Sequence, residues 1–205
     1  VWTSTDGKDD FQNHSTRTPK GDAVVISART ERFLVSDALG GLSIAALRSP
    51  GAPAIQIAPN VDGSGKTHQL FWAESADRVV RATKTSVQIW NTSTGELVAT
   101  VVPAGGTVHS IYVDPEETSV FILTVSRVVQ RFALTSGHAQ PELKCLGFPT
   151  SIVATSEYVL VGTDDGSVHQ YDKASGLELR LIGNFQTAVL NLALAEGVGI
   201  WIATM

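Results

Sequence analysis

The stretch SVQIWNTSTGELVATV, from Ser86 to Val101, decides how the whole chain is interpreted. Its first part, SVQIWN, is rich in β-branched and aromatic residues, which is the composition of a packed strand. Asn91–Gly95 then favours a turn, because Asn, Ser and Thr side chains bond their own backbone and Gly tolerates a positive φ. Glu96–Val102 again has the composition of a strand. The stretch therefore predicts a β-hairpin.

The hairpin is one copy of a repeat. Ser167–Ile182, SVHQYDKASGLELRLI, has the same layout. A large apolar or aromatic anchor marks the corresponding strand at intervals of 39 to 45 residues, at Trp2, Leu47, Trp90, Phe132 and Tyr171. A Thr that closes a short apolar strand recurs at steps of 41, 39 and 41 residues, at Thr83, Thr124, Thr163 and Thr204. Four-stranded propeller blades repeat every ~40 to 45 residues. We therefore predict an all-β fold, a β-propeller of four-stranded antiparallel blades.

The repeat divides the chain into four whole blades and two half blades. Val1–Ser4 has the composition of the third strand of an unfinished blade. Asp6–Asp22 is polar and charged, so we expect a mobile connection at residues 6–22 with at most one short outer strand. The predicted whole blades and the final half blade cover 23–58, 67–102, 107–147, 150–182 and 187–204.

Thr107–Phe132 shows the order of features found in WD-repeat propellers, and the chain resembles that family over nearly all its length. TVHSIYVDPEE is similar to the innermost strand with its Asp-Pro turn, VFILT to the second strand and VVQRF to the third. The family's Gly-His pair is missing, and its Trp-Asp pair persists only as Trp90-Asn91 and Tyr171-Asp172. The buried hydrogen-bond network of the family is therefore incomplete, and we expect apolar packing to stabilise these blades.

The resemblance also bears on domain organisation. WD-repeat relatives commonly have seven blades, which at ~40 residues each need about 280 residues, more than the 205 present. We expect residues 1–205 to be a single propeller domain or an excerpt of one, and favour the excerpt of a larger propeller over a closed five-bladed ring.

Composition excludes several function classes. The formal net charge is −5, so no basic surface for nucleic acid is expected. No apolar run approaches the ~20 residues of a membrane helix, so no membrane association is expected. The single cysteine, Cys145, rules out an internal disulfide framework and favours an intracellular location, cytoplasmic or nuclear.

Motifs that suggest chemistry have simpler explanations. Gly63–Thr67, GSGKT, is similar to the end of a phosphate-binding loop, but Asn60 stands where that motif needs Gly, and a strand follows it rather than a helix. The five histidines do not share a strand face or spacing, which argues against a metal site. Cys145 lies in a predicted strand as a small buried thiol. Adjacent acidic pairs, such as Asp164-Asp165 before Gly166, are turn residues.

Two function classes remain. The first is a non-catalytic protein–protein interaction scaffold, a propeller subunit of a multi-protein complex, which is the role that the resemblance implies. The alternative is a ligand-binding or quinone-cofactor-type propeller enzyme. Its repeats usually place a Trp in the strand after the turn Gly, where this chain has GELVATV and GLELRLI. We therefore expect no catalytic residues, no cofactor, no metal and no small-molecule substrate, with other proteins as partners.

A partner-binding face is predicted from the topology of such blades. The turns between second and third strands and the connections between blades share one face of a propeller. Here that face would carry a mixture of aromatic anchors and charges suited to protein contact, namely Lys84, Arg127, Asp164, Phe148 and Phe185.

Overall fold

The computed structural model describes residues 2–4, 11–13, 21–27, 32–37, 41–46, 55–58, 66–195 and 199–204. Within these residues the chain is all-β, without a helix. Its strands in chain order are β1 (Trp2–Ser4), β2 (Phe11–Asn13), β3 (Gly21–Ser27), β4 (Arg32–Asp37), β5 (Leu42–Ala46), β6 (Ile55–Ala58), β7 (Gln69–Ala73), β8 (Arg78–Ala82), β9 (Val87–Asn91), β10 (Leu97–Val101), β11 (Val108–Val113), β12 (Ser119–Thr124), β13 (Val128–Ala133), β14 (Ala139–Lys144), β15 (Pro149–Ala154), β16 (Tyr158–Thr163), β17 (Ser167–Asp172), β18 (Glu178–Asn184), β19 (Val189–Ala195) and β20 (Gly199–Thr204).

The strands form antiparallel sheets of four in which chain order is also spatial order. Sheet I contains β3–β6, sheet II β7–β10, sheet III β11–β14 and sheet IV β15–β18, while β1–β2 and β19–β20 form separate hairpins. Each sheet is thus a meander of consecutive strands, which in sheets II, III and IV are joined by short turns. Among the described strands, β1 pairs with β2 and β20 with β19, and no ladder joins β1 to β20.

The sheets repeat one another in detail. The first strand carries a register irregularity near its start in β3, β11, β15 and β19. The anchors Trp90, Phe132 and Tyr171 each lie opposite a Val of the second strand, which is Val79, Val120 and Val159 respectively. Equivalent residues therefore occupy equivalent ladder positions, which is what the period in the sequence predicted.

The core lies between consecutive sheets. Sheets I and II enclose one apolar cluster, sheets II and III a second, sheets III and IV a third, and sheet IV and β19–β20 a fourth. The second strand is the most deeply buried, and every residue of β12, SVFILT, is buried. First strands also meet across the seams, with β3 against β7, β7 against β11 and β15 against β19. Sheets II, III and IV are therefore each stabilised by burying apolar faces against both neighbours.

Most predicted strand positions match the structure. The two hairpins that defined the repeat are β9–β10 and β17–β18. The strand at Phe11–Asn13 is the single short strand allowed within residues 6–22, and β3 begins at Gly21, two residues before the predicted start. The Leu47 anchor and residues 63–65 of the GSGKT segment lie outside the described residues. Of the Trp2 anchor, the structure describes the strand position alone.

Candidate protein-interaction surface

Equivalent loops gather at one end of sheets II, III and IV. We define the connection end as the turns at 83–86, 125–127 and 164–166, between second and third strands, with the links at 102–107, 145–148 and 185–188 that join consecutive sheets. The links are bonded to the turns: Val108 N donates to Lys84 O over 2.8 Å, and Cys145 N donates to Arg127 O over 2.8 Å. The five predicted partner-binding residues all lie at this end.

Three of these residues form one contact group across the seam between sheets III and IV. The Arg127 guanidinium carbon lies 5.3 Å from the centre of the Phe148 ring, a cation–π contact. The Phe148 amide donates to the Asp164 carboxylate over 2.8 Å, and the Asp164 amide donates to Phe148 O over 3.0 Å. Asp164 thus fixes the backbone of Phe148, while Arg127 covers one side of its ring. The ring stays exposed at 42%.

The turn that holds Asp164 is tightly packed. Asp165 accepts hydrogen bonds from the Thr163 hydroxyl and the Ser167 amide, which together hold the pKa of its carboxyl below the usual value. Gly166 has a φ of +89°, and a Cβ at this position would lie 2.7 Å from the carbonyl oxygen of Thr187. The Asp-Asp-Gly sequence therefore meets both demands of this turn, side-chain acceptors and a residue with no Cβ.

Phe185 and Lys84 occupy the equivalent ends of the neighbouring seams. Phe185 N donates to Gly166 O over 2.9 Å, so the link after β18 is bonded to the same turn that carries Asp164. Its ring is exposed. Lys84 is exposed in the turn between β8 and β9, and its carbonyl accepts from the first residue of β11. The structure therefore brings Arg127, Phe148 and Asp164 into contact, and places Phe185 and Lys84 on either side of them along the same end.

Exposed aliphatic residues that sequence reasoning missed extend this surface. Val125 is 62% exposed in the turn before Arg127, and Leu146 is 68% exposed in the link before Phe148. Val102 is exposed in the preceding link. Their position in the sequence could have indicated them. Loops at this end were predicted, and an aliphatic residue in such a loop has no core to enter. With them, the connection end of sheet III carries exposed apolar side chains together with the Arg127 guanidinium.

The opposite end of the seam between sheets III and IV carries a group of paired charges, most of them buried. Lys173 Nζ lies 2.8 Å from Asp114 Oδ2, contacts Glu116 Oε2 and donates to Thr155 O over 3.1 Å. Arg131 donates to the Lys173 carbonyl and, over 3.1 Å and 3.0 Å, to the Ser119 hydroxyl. These cations therefore already have acceptors within the protein.

Burial and hydrogen bonding shift the pKa of the Asp114 carboxyl in opposite directions. Burial alone raises the pKa of the Asp114 carboxyl, but hydrogen bonds from Lys173, Thr118 and Ser119 outweigh it, so the pKa lies below 3.8. Burial also lowers the pKa of the Arg131 guanidinium. An open cleft of about 540 Å³ lies beside the group, lined by Glu116, Arg131, Glu157, Tyr158 and Lys173 among others. The contacts of Lys173 with Asp114 and Glu116, and of Arg131 with the Lys173 carbonyl, fasten sheet III to sheet IV.

The other candidate residues occupy structural positions. Trp90 is 5% exposed in the cluster between sheets I and II, and Phe132 packs against the cluster between sheets II and III. Tyr171 is buried between sheets III and IV, and its hydroxyl donates to Lys144 O over 3.1 Å. Burial raises the pKa of the Cys145 thiol, which keeps it protonated at neutral pH. The Thr67 hydroxyl, in the GSGKT segment, accepts from the buried Arg81 guanidinium over 2.9 Å.

The described residues contain neither a metal-binding cluster nor a membrane-spanning helix. No group of three or more His, Cys, Asp or Glu side chains there could hold a metal ion. His169 binds Glu178 through Nδ1 over 2.7 Å, and His68 contacts the His109 carbonyl. The same residues include no helix long and apolar enough to cross a bilayer.

Comparison with known proteins gives a structural similarity without a family. None of the protein-family models matches the chain, and a search of curated proteins found no match. Among solved structures, the chain is similar to the crystal structure of the computationally designed Ika4 protein, with a TM-score of 0.58 and 17% sequence identity. The similarity covers 71% of this chain and 95% of that one. At this identity it shows a shared fold alone.

Proposed function

We propose that this protein is a non-catalytic protein–protein interaction scaffold, a WD-repeat-like β-propeller subunit of a multi-protein complex. The proposed propeller is supported by sheets I to IV, which repeat one strand order and bury apolar clusters at the seams between them. The first-strand irregularity recurs in sheets I, III and IV, and the anchor position recurs in sheets II, III and IV. In an experimental structure, the four sheets should be arranged radially around a common axis. A linear stack without such an axis would contradict the propeller.

The observation that carries the interaction function is the Arg127–Phe148–Asp164 group. Aromatic residues and arginine are enriched in the energetically important parts of interfaces. Here two hydrogen bonds with Asp164 hold the backbone of Phe148, and the cation–π contact with Arg127 holds its exposed ring. Little conformational freedom of Phe148 therefore remains to be lost on binding. A structural role alone does not account for leaving the ring exposed beneath the Arg127 guanidinium.

A ligand-binding function has weaker support. The cleft at the opposite end is large enough for a small molecule. However, Lys173 and Arg131 donate to acceptors within the protein, and a ligand would have to displace them. We therefore favour the scaffold. An intracellular location, cytoplasmic or nuclear, is part of the same proposal and is based on the single cysteine in 205 residues.

Affinity purification with a matched pair of variants tests the function. We expect the double variant Arg127→Ala/Phe148→Ala to lose the partners recovered with the wild-type chain while keeping its melting temperature, because both side chains are exposed. The control is Arg32→Ala/Leu177→Ala, which removes an exposed cation and an exposed apolar side chain at the opposite end. Recovery of the same partners, undiminished, with the first variant would show that the connection end is not the binding site.

A further inference from the structure

We propose that the partner segment bound at the connection end of sheet III is acidic, with a carboxylate side chain next to a bulky apolar residue. This inference rests on the proposed interaction function and specifies the chemistry of the partner. In the proposed complex the carboxylate binds Arg127, and the apolar residue packs against Val125, Leu146 and Phe148.

The Arg127 side chain is held in place but has no ion-pair partner among the described residues. Its guanidinium carries five N–H donors in a planar fork that fits a carboxylate. Within the described part of the chain, no carboxylate lies within ion-pairing distance of it, and its one recorded side-chain contact is the Phe148 ring at 5.3 Å. Arg131, four residues further along the chain in β13, contrasts with it, because that guanidinium donates to Ser119 and to the Lys173 carbonyl. Arg127 is therefore a cation held in position with its donors available.

The two carboxylates at the same end accept hydrogen bonds within the protein. Asp164 accepts the Phe148 amide, and Asp165 accepts the Thr163 hydroxyl and the Ser167 amide. Asp164 uses Oδ1 to hold the link at Phe148, and Asp165 uses Oδ1 to hold its own turn, so a basic partner would have to compete with bonds that fix this end of the protein. Arg127, by contrast, has no carboxylate within ion-pairing distance among the described residues. Charge complementarity therefore favours an acidic partner over a basic one.

Exposed apolar side chains lie in the same turn and link as Arg127 and Phe148. The hydrogen bond between Cys145 N and Arg127 O places the turn with Val125 beside the link with Leu146. Both aliphatic side chains are more than half exposed, next to the exposed Phe148 ring. A purely ionic site would not need this apolar surface. Lys84, exposed at the same end of sheet II, provides a second cation for a longer acidic segment.

Binding of three short synthetic peptides to the intact chain tests the inference. The acidic peptide has an Asp-Leu-Phe-Glu core, the amide peptide replaces both acids with Asn and Gln, and the basic peptide replaces both with Lys. Fluorescence anisotropy of labelled peptides gives the affinities. We expect the acidic peptide to bind about tenfold more tightly than the amide peptide, as for a charge-assisted hydrogen bond.

Variants connect this preference to the proposed contacts. Arg127→Ala should abolish the preference for the acidic peptide, Arg127→Lys should keep part of it, and Leu146→Ala should weaken acidic and amide peptides alike. The control variant Arg32→Ala should change neither. Tighter binding of the basic peptide, equal binding of all three, or no binding by any of them would overturn the inference. The affinity purification tests the interaction function without regard to the charge of the partner. If Arg127→Ala/Phe148→Ala loses its partners but the peptides give any of the three contrary results, the interaction function stands and the acidic specificity is wrong.

Discussion

The ammonium nitrogen of Lys173, in the turn after β17, lies 2.8 Å from a carboxylate oxygen of Asp114, in the turn after β11. The pair joins sheets III and IV at the end opposite the connection end. Both side chains are almost completely buried, so the pair forms in a setting where charge must be neutralised locally. The Thr118 and Ser119 amides and the Thr118 hydroxyl complete the hydrogen bonding of Asp114. This seam is therefore sensitive to the protonation state of Asp114.

Asp114→Asn should destabilise the chain at neutral pH by about 3 to 5 kcal/mol, the usual cost of removing one partner from a buried ion pair. The folded-state pKa of Asp114 is below its unfolded value of 3.8. Its contribution is therefore fully present above that value and is lost as the pH falls through the lower, folded pKa.

The measurement is the free energy of unfolding in urea, for wild type and variant, at neutral pH and at a pH below about 3.8, the unfolded value. We expect the difference between the two proteins to shrink in acid. The control, Glu157→Gln, removes an exposed carboxylate beside the same cleft and should have a small effect at both pH values. A difference that is the same at both pH values would contradict the account of this seam.

Trp90 should act as a packing residue between sheets I and II. It contacts a cluster that includes Leu34, Ile44 and Ile57, so Trp90→Ala should cost about 3 to 5 kcal/mol. Its indole nitrogen is buried without a hydrogen-bond partner in the described structure. Trp90→Phe removes that N–H and should therefore cost less than about 1.5 kcal/mol. Thermal unfolding of both variants measures this, and a melting temperature unchanged by Trp90→Ala would refute the packing role.

Two glycines with similar backbone angles should respond differently to alanine. Both Gly166 and Gly106 have positive φ, at +89° and +84°, which costs an alanine about 1 to 2 kcal/mol. A Cβ on Gly106 meets nothing within 4 Å, whereas one on Gly166 meets the backbone of Thr187 and Gln186. Gly166→Ala should therefore cost about 1 to 3 kcal/mol more than Gly106→Ala in urea unfolding. Equal costs would mean that the link at 185–188 moves to make room for the added methyl group without loss of stability, which would contradict the tight packing of this turn.

The sequence predicted the strands well because their signal is local. Runs such as VFILT and the turns with Gly95 and Gly176 are determined by neighbours in the chain, and the repeat confirmed each assignment at the next copy. The two glycines have φ of +73°, as the turn chemistry requires. The positions of the five predicted partner-binding residues at one end followed from the same topology.

Contacts between repeats could not be predicted in this way. Lys173 and Asp114 belong to different sheets, and nothing near either residue in the sequence indicates the other. Arg81 and Arg131 are buried, although arginine in an alternating strand is normally taken as solvent-exposed. The cation–π contact of Arg127 with Phe148 likewise depends on how two sheets pack. Such contacts vary from seam to seam, so a repeat period carries no information about them.

Site-specific photocrosslinking at the connection end tests the central claim most directly. Phe148 is replaced with the photoreactive amino acid p-benzoylphenylalanine in cells, and Tyr158, an exposed aromatic residue at the opposite end, is replaced in the same way as a control. We predict a specific covalent adduct with a partner protein from position 148, reduced when Arg127→Ala is added, and none from position 158. No adduct at 148, or the same adduct from both positions, would contradict the claim that this end of the protein binds its partner.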